Sequence, residues 1–96
     1  MNRVELNESR LDSIYKSVSE LGNAITNFKN ESENFKELNN YYGSNAWFND
    51  IDKYNKGKFG SIKAGVLSED AVWNLNESIS ELIKDMEEII NNYKSR

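Results

Sequence analysis

The chain has 96 residues and a net charge of −4, and it contains no Cys, His or Pro. A chain of this length forms one domain with a single modest core. The lack of Cys excludes disulfides and cysteine-ligated zinc, and the lack of His removes the commonest general base and metal ligand. We therefore expect no catalytic residues, no cofactor and no metal, which favours a non-enzymatic protein.

The composition also bears on location and partners. No apolar run is long enough for a membrane helix, and the first residues are polar, so we expect a cytoplasmic protein that does not bind membranes. The negative net charge disfavours direct binding to nucleic acid, which requires clustered Lys and Arg. Fifteen Asn residues and many Lys indicate an AT-rich bacterial or phage genome.

The first 42 residues carry apolar side chains at alternating spacings of three and four, which places them on one face of a helix. Asn7 and Ser32 interrupt this heptad pattern, and Gly43 is expected to end the helix. The pattern therefore predicts one long helix over residues 2–42. Its apolar positions are Val4, Leu11, Ile14, Val18, Leu21, Ile25, Phe28, Phe35, Leu38 and Tyr42.

The connector begins with Ser44, which is a suitable N-cap for a short helix over residues 45–54. We expect Trp47 in this helix to be buried where it meets the longer helices. Residues 55–67 contain three Gly and show no helical period, so they are predicted to form a loop.

The last segment repeats the 3-4 alternation from Val72 to Tyr93. Ser68 is a natural N-cap, and acidic residues in the first turn favour the helix dipole, so a helix is predicted over residues 68–94. The chain is therefore expected to be a single all-α domain over residues 1–96. Its architecture would be a long antiparallel helical hairpin with a coiled-coil-like seam and a short third helix in the connector.

In an antiparallel pair the apolar face of the last helix reaches only to about Leu21, so the first helix extends past its partner by about five turns and that part of its apolar face is uncovered. A monomer rarely leaves such a strip exposed. We therefore predict that it binds another protein or a second copy of the chain, as a homodimer. The predicted contact residues are Val4, Leu11, Ile14, Tyr15 and Val18.

A row of carboxylates follows one side of the last helix at Glu77, Glu81, Asp85 and Glu88. Residues 69–93 hold seven acidic residues and one Lys, a net charge of −6. The row is either a solvated polar face or a surface that binds a basic partner protein. A metal site is disfavoured, because carboxylate metal sites in helical bundles also use His.

Two segments carry a family resemblance. They are YYGS at residues 41–44, followed by Trp47 and Phe48, and GVLSEDAV at residues 65–72. Together with the helices on either side, they resemble domain-of-unknown-function family 4298, a family of short bacterial proteins. The resemblance covers almost the whole chain. It implies an all-helical fold, and it implies no activity and no catalytic residues.

Three classes of function are compatible with these features. The favoured class is a non-catalytic protein-binding module, and one version of it is a mobile-element or phage-borne inhibitor that uses its acidic helix to block a host nucleic-acid enzyme. A second class is a helical-hairpin partner like those of type VII secretion, although such proteins have Trp-x-Gly where this chain has Trp47-Phe48-Asn49. An enzyme is the third class, and it would require a cleft lined by carboxylates with shifted pKa values.

Overall fold

The structure is a computed structural model that describes residues 2–95. These residues are 83% helical, far above the third that is usual in globular proteins, and they contain no strand. The all-α fold class and the short helix in the connector are thus confirmed. The helices are α1 (Arg3–Asn30), α2 (Ser32–Tyr41), α3 (Asn45–Asn55) and α4 (Glu69–Lys94), with a 3-10 helix at Gly65–Leu67.

The first predicted helix is divided at Glu31. The hydroxyl of Ser32 donates a hydrogen bond of 2.7 Å to the carbonyl oxygen of Lys29. This bond competes with the backbone for an acceptor that would otherwise serve the helix. The N–H of Glu31 meanwhile bonds to the carbonyl of Phe28, three residues back, at 3.1 Å. The break lies next to Ser32, the position where the heptad pattern lacks an apolar residue, although the periodicity as a whole predicts an unbroken helix.

The ends of the other helices follow the predicted signals. Gly43 has a φ of 79°, in the left-handed region that glycine tolerates, and it lies just after α2. The hydroxyl of Ser44 accepts from the N–H of Trp47 at the start of α3, and that of Ser68 accepts from the N–H of Asp70 at the start of α4. Both predicted N-caps are confirmed. The 3-10 helix at Gly65–Leu67 lies inside the predicted loop and was not anticipated.

Contacts divide the chain into two compact units, residues 1–37 and residues 38–96. The single domain predicted from the sequence stays a prediction. The first unit contains α1 and most of α2, and every residue described in it is exposed. The second contains the residues that are most buried, Trp47 at 4% exposed and Val72 at 3%. The core of the second unit therefore lies where α3, the 3-10 helix and the start of α4 meet.

Within the second unit, the end of α2 and the beginning of α4 run in opposite directions. The side-chain amide of Asn76 donates to the side-chain oxygen of Asn39 at 3.2 Å, and the hydroxyl of Tyr42 donates to the carbonyl of Glu69 at 2.7 Å. Residue numbers rise along one segment as they fall along the other, as an antiparallel hairpin requires. Among residues 2–95, no helix is both long enough and apolar enough to cross a membrane.

Candidate protein-binding surfaces

The predicted contact strip lies on α1, and all of it faces solvent. Its members are between 45% and 70% exposed: Val4, Leu11, Ile14, Tyr15 and Val18. Because the spacings of three, four and seven place these side chains on one side of the helix, they form one continuous apolar surface. A polar helix face would need no partner, whereas this one leaves five large side chains in water.

The apolar surface of α1 extends further than the sequence indicated. Leu21, Ile25 and Phe28 continue the same face and are between 42% and 57% exposed. The strip was predicted to end at Val18, on the assumption that the following residues pack in the hairpin seam. The exposed surface of α1 is therefore about seven helical turns long, at 3.6 residues per turn.

The acidic row lies on α4, at the positions predicted for it. Glu77, Glu81, Asp85 and Glu88 are exposed, and none of them forms a salt bridge within residues 2–95. Spacings of four, four and three keep these carboxylates on one side of the helix, so their charges repel one another. Beside them runs an apolar face that is also exposed at Leu75, Leu82, Met86 and Ile89. The second half of α4 thus presents an apolar face next to an acidic one.

An aromatic cluster holds α3 to the rest of the second unit. The indole N–H of Trp47 donates to the carbonyl oxygen of Val66 at 2.9 Å. The rings of Tyr42 and Phe48 each meet the Trp47 ring edge to face, with centroids 4.9 Å away. Aromatic pairs in this geometry stabilise beyond their buried area. The predicted burial of Trp47 is confirmed, and its hydrogen bond joins α3 to the 3-10 helix of the connector.

An open cleft of about 520 Å³ lies against this cluster. Trp73 on α4 and Phe48 on α3 line it, and both are more than half exposed. The carboxylate-bearing residues Glu69 and Asp70 complete the lining. Sequence reasoning missed Trp73 as a surface residue, although there was a signal: Trp73 immediately follows the buried seam position Val72, so its ring must point away from that seam.

One titratable group in the second unit is clearly perturbed. The hydroxyl of Tyr41 donates a hydrogen bond of 2.6 Å to the carboxylate of Asp50. This bond raises the pKa of Tyr41 above its ordinary value of 10.0, and partial burial and the negative charge of Asp50 add to the effect. The pair fastens the end of α2 to α3.

Among residues 2–95, no group of three Asp or Glu side chains is close enough to hold a metal ion. Of the lysines in the connector, Lys56 forms an ion pair with Asp52 at 2.8 Å within one turn of helix. The surfaces that remain are the apolar face of α1, the two faces of α4 and the aromatic cleft.

Comparison with known proteins agrees with the resemblance of the two motif segments. Residues 5–89 match the family model described as Domain of unknown function (DUF4298). The chain belongs to the DUF4298 family. The DUF4298 match begins in the first turn of α1 and ends in the last turns of α4, so it includes every predicted contact residue except Val4. The family description assigns no activity. No curated protein and no solved structure shows significant similarity to the chain.

Proposed function

We propose that this DUF4298 chain is a non-catalytic protein-binding module that binds another helix through the apolar face of α1. The observation that carries the proposal is the exposure of five apolar side chains at helical spacing, from Val4 to Val18. Exposed apolar surface of this extent is typical of interaction sites.

The energy available from this surface is sufficient for association. Burying a Leu, Ile or Val side chain contributes about 1.5–3 kcal/mol. Four or five such side chains offset the loss of translational and rotational freedom, which costs about 4–15 kcal/mol in different treatments. An isolated helix without tertiary packing is also only marginally stable in water, so a partner would stabilise α1 itself.

The acidic row on α4 supports a second surface of the same module. The four exposed carboxylates form no salt bridge within residues 2–95, so they would attract a basic protein surface, and the adjoining apolar face would add buried area. This surface is the basis for the more specific proposal of an inhibitor that covers the nucleic-acid groove of a host enzyme. A cytoplasmic location in a bacterial or phage setting belongs to the same proposal, supported by the Asn-rich, Lys-rich and Cys-free composition.

The experiment that tests the proposal is sedimentation equilibrium of the wild-type chain and of a variant with Leu11→Asp and Ile14→Asp. Charge at these two positions should abolish association of the first helix while circular dichroism still shows a helical protein. The control is Ser9→Asp with Ser13→Asp, which adds the same charge to the opposite side of α1. The control variant should associate as the wild type does.

Two results would contradict the proposal. If the wild-type chain is monomeric and the Leu11→Asp, Ile14→Asp variant unfolds, the strip is part of a core and is not a binding surface. If the control variant loses association to the same degree, general charge repulsion explains the effect and the strip is not the contact.

A further inference from the structure

We propose that the occupant of the α1 strip is α1 of a second copy of this chain, paired as a parallel, in-register coiled coil. This inference rests on the proposed function, because it names the partner of the same surface. It follows from the residues that flank the strip as well as from the strip itself.

The strip obeys a strict repeat of seven. Heptad position a is occupied by Val4, Leu11, Val18 and Ile25, and position d by Asn7, Ile14, Leu21 and Phe28. A repeat of seven drifts slowly around a straight helix of 3.6 residues per turn, so two helices that keep it must wind around each other. Three of the four a positions are β-branched, as in two-stranded parallel coiled coils, although only Leu21 supplies the Leu that such coils prefer at d. All eight positions lie within the continuous helix Arg3–Asn30.

Asn7 selects the orientation. In a parallel, in-register pair each d residue meets its own copy, so the Asn7 amides would face each other and could exchange a hydrogen bond. In the antiparallel arrangement with the same a–d layers, Asn7 would instead face Ile25, which offers no polar partner. The amide would then keep only the hydrogen bonds within its own helix, and its remaining donor and acceptor would be buried without partners, which is unfavourable. A polar residue in an otherwise apolar seam sets register in the same way in other coiled coils.

The amide of Asn7 is suitably arranged for this contact. Its nitrogen donates to the carbonyl oxygen of Arg3 at 2.8 Å, and its oxygen accepts from the guanidinium of Arg10 at 3.2 Å. An amide nitrogen has two hydrogens and an amide oxygen has two lone pairs. Both atoms therefore retain capacity for one further hydrogen bond, to the amide of the other copy.

The residues at the edges of the strip are complementary in charge. In a parallel pair, position g of one helix lies near position e of the next heptad on the other. Arg3 at g of one copy thus meets Glu8 at e of the other, and symmetry provides this pair twice. Arg10 meets Tyr15 in the same way, which places a guanidinium beside an aromatic ring. In the antiparallel arrangement Glu8 lies near Gly22 and Arg10 near Ala24, so neither contact forms.

This pairing also accounts for Tyr15. Its side chain is 67% exposed, and it occupies an e position beside the a–d seam. A large amphipathic ring at this place covers the edge of a coiled-coil interface and keeps its hydroxyl in water. The e–g contact with Arg10 gives the residue a role that the isolated helix does not show.

The test uses single cysteines, because the wild-type chain has none. Leu21→Cys, at another d position, leaves Asn7 in place and puts two thiols face to face only if the helices are parallel and in register. In a glutathione redox buffer, this variant should form disulfide-linked dimers about tenfold more completely than the control Ser13→Cys, whose thiol lies on the outer side of α1. The read-out is a non-reducing gel, with the linkage identified by mass spectrometry.

A charge exchange provides the second measurement. Arg3→Glu and Glu8→Arg should each weaken the dimer by about three- to tenfold, and the two together should restore the wild-type dissociation constant. Restoration cannot come from the separate effects of the two substitutions on the stability of α1, because those effects add. Sedimentation of the three variants measures it.

The outcomes separate this inference from the proposed function. A dimer in which Leu21→Cys links no better than Ser13→Cys, and in which a Leu21→Cys chain links to a Leu11→Cys chain, is antiparallel; the orientation proposed here is then wrong while the binding role stands. Self-pairing is overturned if the wild-type chain is still monomeric at about 100 micromolar, a concentration comparable to the dissociation constants of weak dimers. Leu11→Asp with Ile14→Asp unfolding that monomer would overturn the binding role as well.

Discussion

Trp47 links three parts of the second unit through one side chain. Its ring contacts Tyr42 just after α2 and Phe48 within α3, and its indole nitrogen bonds to the backbone at Val66. Only 4% of its surface is exposed to water, so its contacts are made inside the core of the second unit. Its burial and its hydrogen bond therefore both contribute to stability, because an unpaired indole N–H in a core is costly.

We expect Trp47→Ala to lower the free energy of unfolding by about 3–5 kcal/mol, as large aromatic truncations in cores do. Urea denaturation followed by circular dichroism measures the change. Trp73→Ala is the matched control, because the same substitution at a residue that is 56% exposed should cost far less. Equal losses for the two variants would mean that Trp73 is packed as tightly as Trp47.

Tyr41 should make the stability of the chain depend on alkaline pH. The hydrogen bond to Asp50 raises the pKa of Tyr41 above 10.0 in the folded chain, so the folded state keeps the phenolic proton longer than the unfolded state does. The stabilising contribution is therefore complete below pH 10 and is lost as the pH rises through the raised pKa. A phenolate can no longer donate to the carboxylate, and it is repelled by it.

The expected result is that the difference in unfolding free energy between wild type and Tyr41→Phe narrows above pH 10. Urea titrations at a series of pH values from neutral to alkaline measure it. Tyr54→Phe serves as the control, since Tyr54 is an exposed tyrosine of α3 whose removal should leave the alkaline loss in place. A constant difference between wild type and Tyr41→Phe across this range would show that the Asp50 contact does not form.

At the scale of the helices, a negative charge stabilises α4 in its first turn and destabilises it in the acidic row. Asp70 lies in the first turn, where a negative charge meets the positive end of the helix dipole. Asp85 lies in the acidic row, four residues after Glu81 and three before Glu88, where like charges repel. The first carboxylate stabilises the helix, and the second is tolerated at a cost.

Asp85→Lys should therefore stabilise the isolated chain by about 0.5–1 kcal/mol, whereas Asp70→Lys should destabilise it by a similar amount. Both differences should shrink as salt is raised, because the groups are exposed. Urea denaturation at low and high salt measures all four values. A stabilising Asp85→Lys would support the view that the acidic row serves binding, since folding alone gains nothing from it. A destabilising one would mean that the row has a structural partner.

Sequence reasoning succeeded for elements whose signals are local. The 3-4 periodicity located the long helices, and Gly43, Ser44 and Ser68 located their ends, because capping depends on a few neighbouring atoms. It failed at Glu31, because the helix is divided next to Ser32, where the heptad pattern lacks an apolar residue and the serine hydroxyl donates to the carbonyl of Lys29. It also failed for Trp73 and the cleft, since a cleft depends on how segments distant in sequence come together. The predicted contact residues lie on exposed faces, and their role in binding stays a prediction.

At the scale of the whole molecule, the two units differ in what stabilises them. Residues 38–96 contain a small buried core around Trp47 and Val72, whereas the described part of residues 1–37 contains no buried side chain. A helix with its apolar face in water has only its backbone hydrogen bonds and short-range side-chain pairs for support. The stability of α1 should therefore depend on association, and that of the second unit on its own core.

This difference predicts two thermal transitions that respond differently to protein concentration. Both tryptophans, Trp47 and Trp73, lie in the second unit, so their fluorescence reports its unfolding alone. Far-ultraviolet circular dichroism reports the unfolding of all helices, including the 28 residues of α1. If α1 pairs with a second copy, the part of the circular dichroism signal that belongs to α1 should move to higher temperature as concentration rises, because association stabilises by mass action. The temperature of the fluorescence transition should not change with concentration.

Leu11→Asp with Ile14→Asp should remove the concentration dependence and leave the fluorescence transition unchanged, since neither position lies in the second unit. Coincident transitions that ignore concentration would show instead that α1 unfolds together with the core around Trp47, and that its apolar face is stabilised within a single chain.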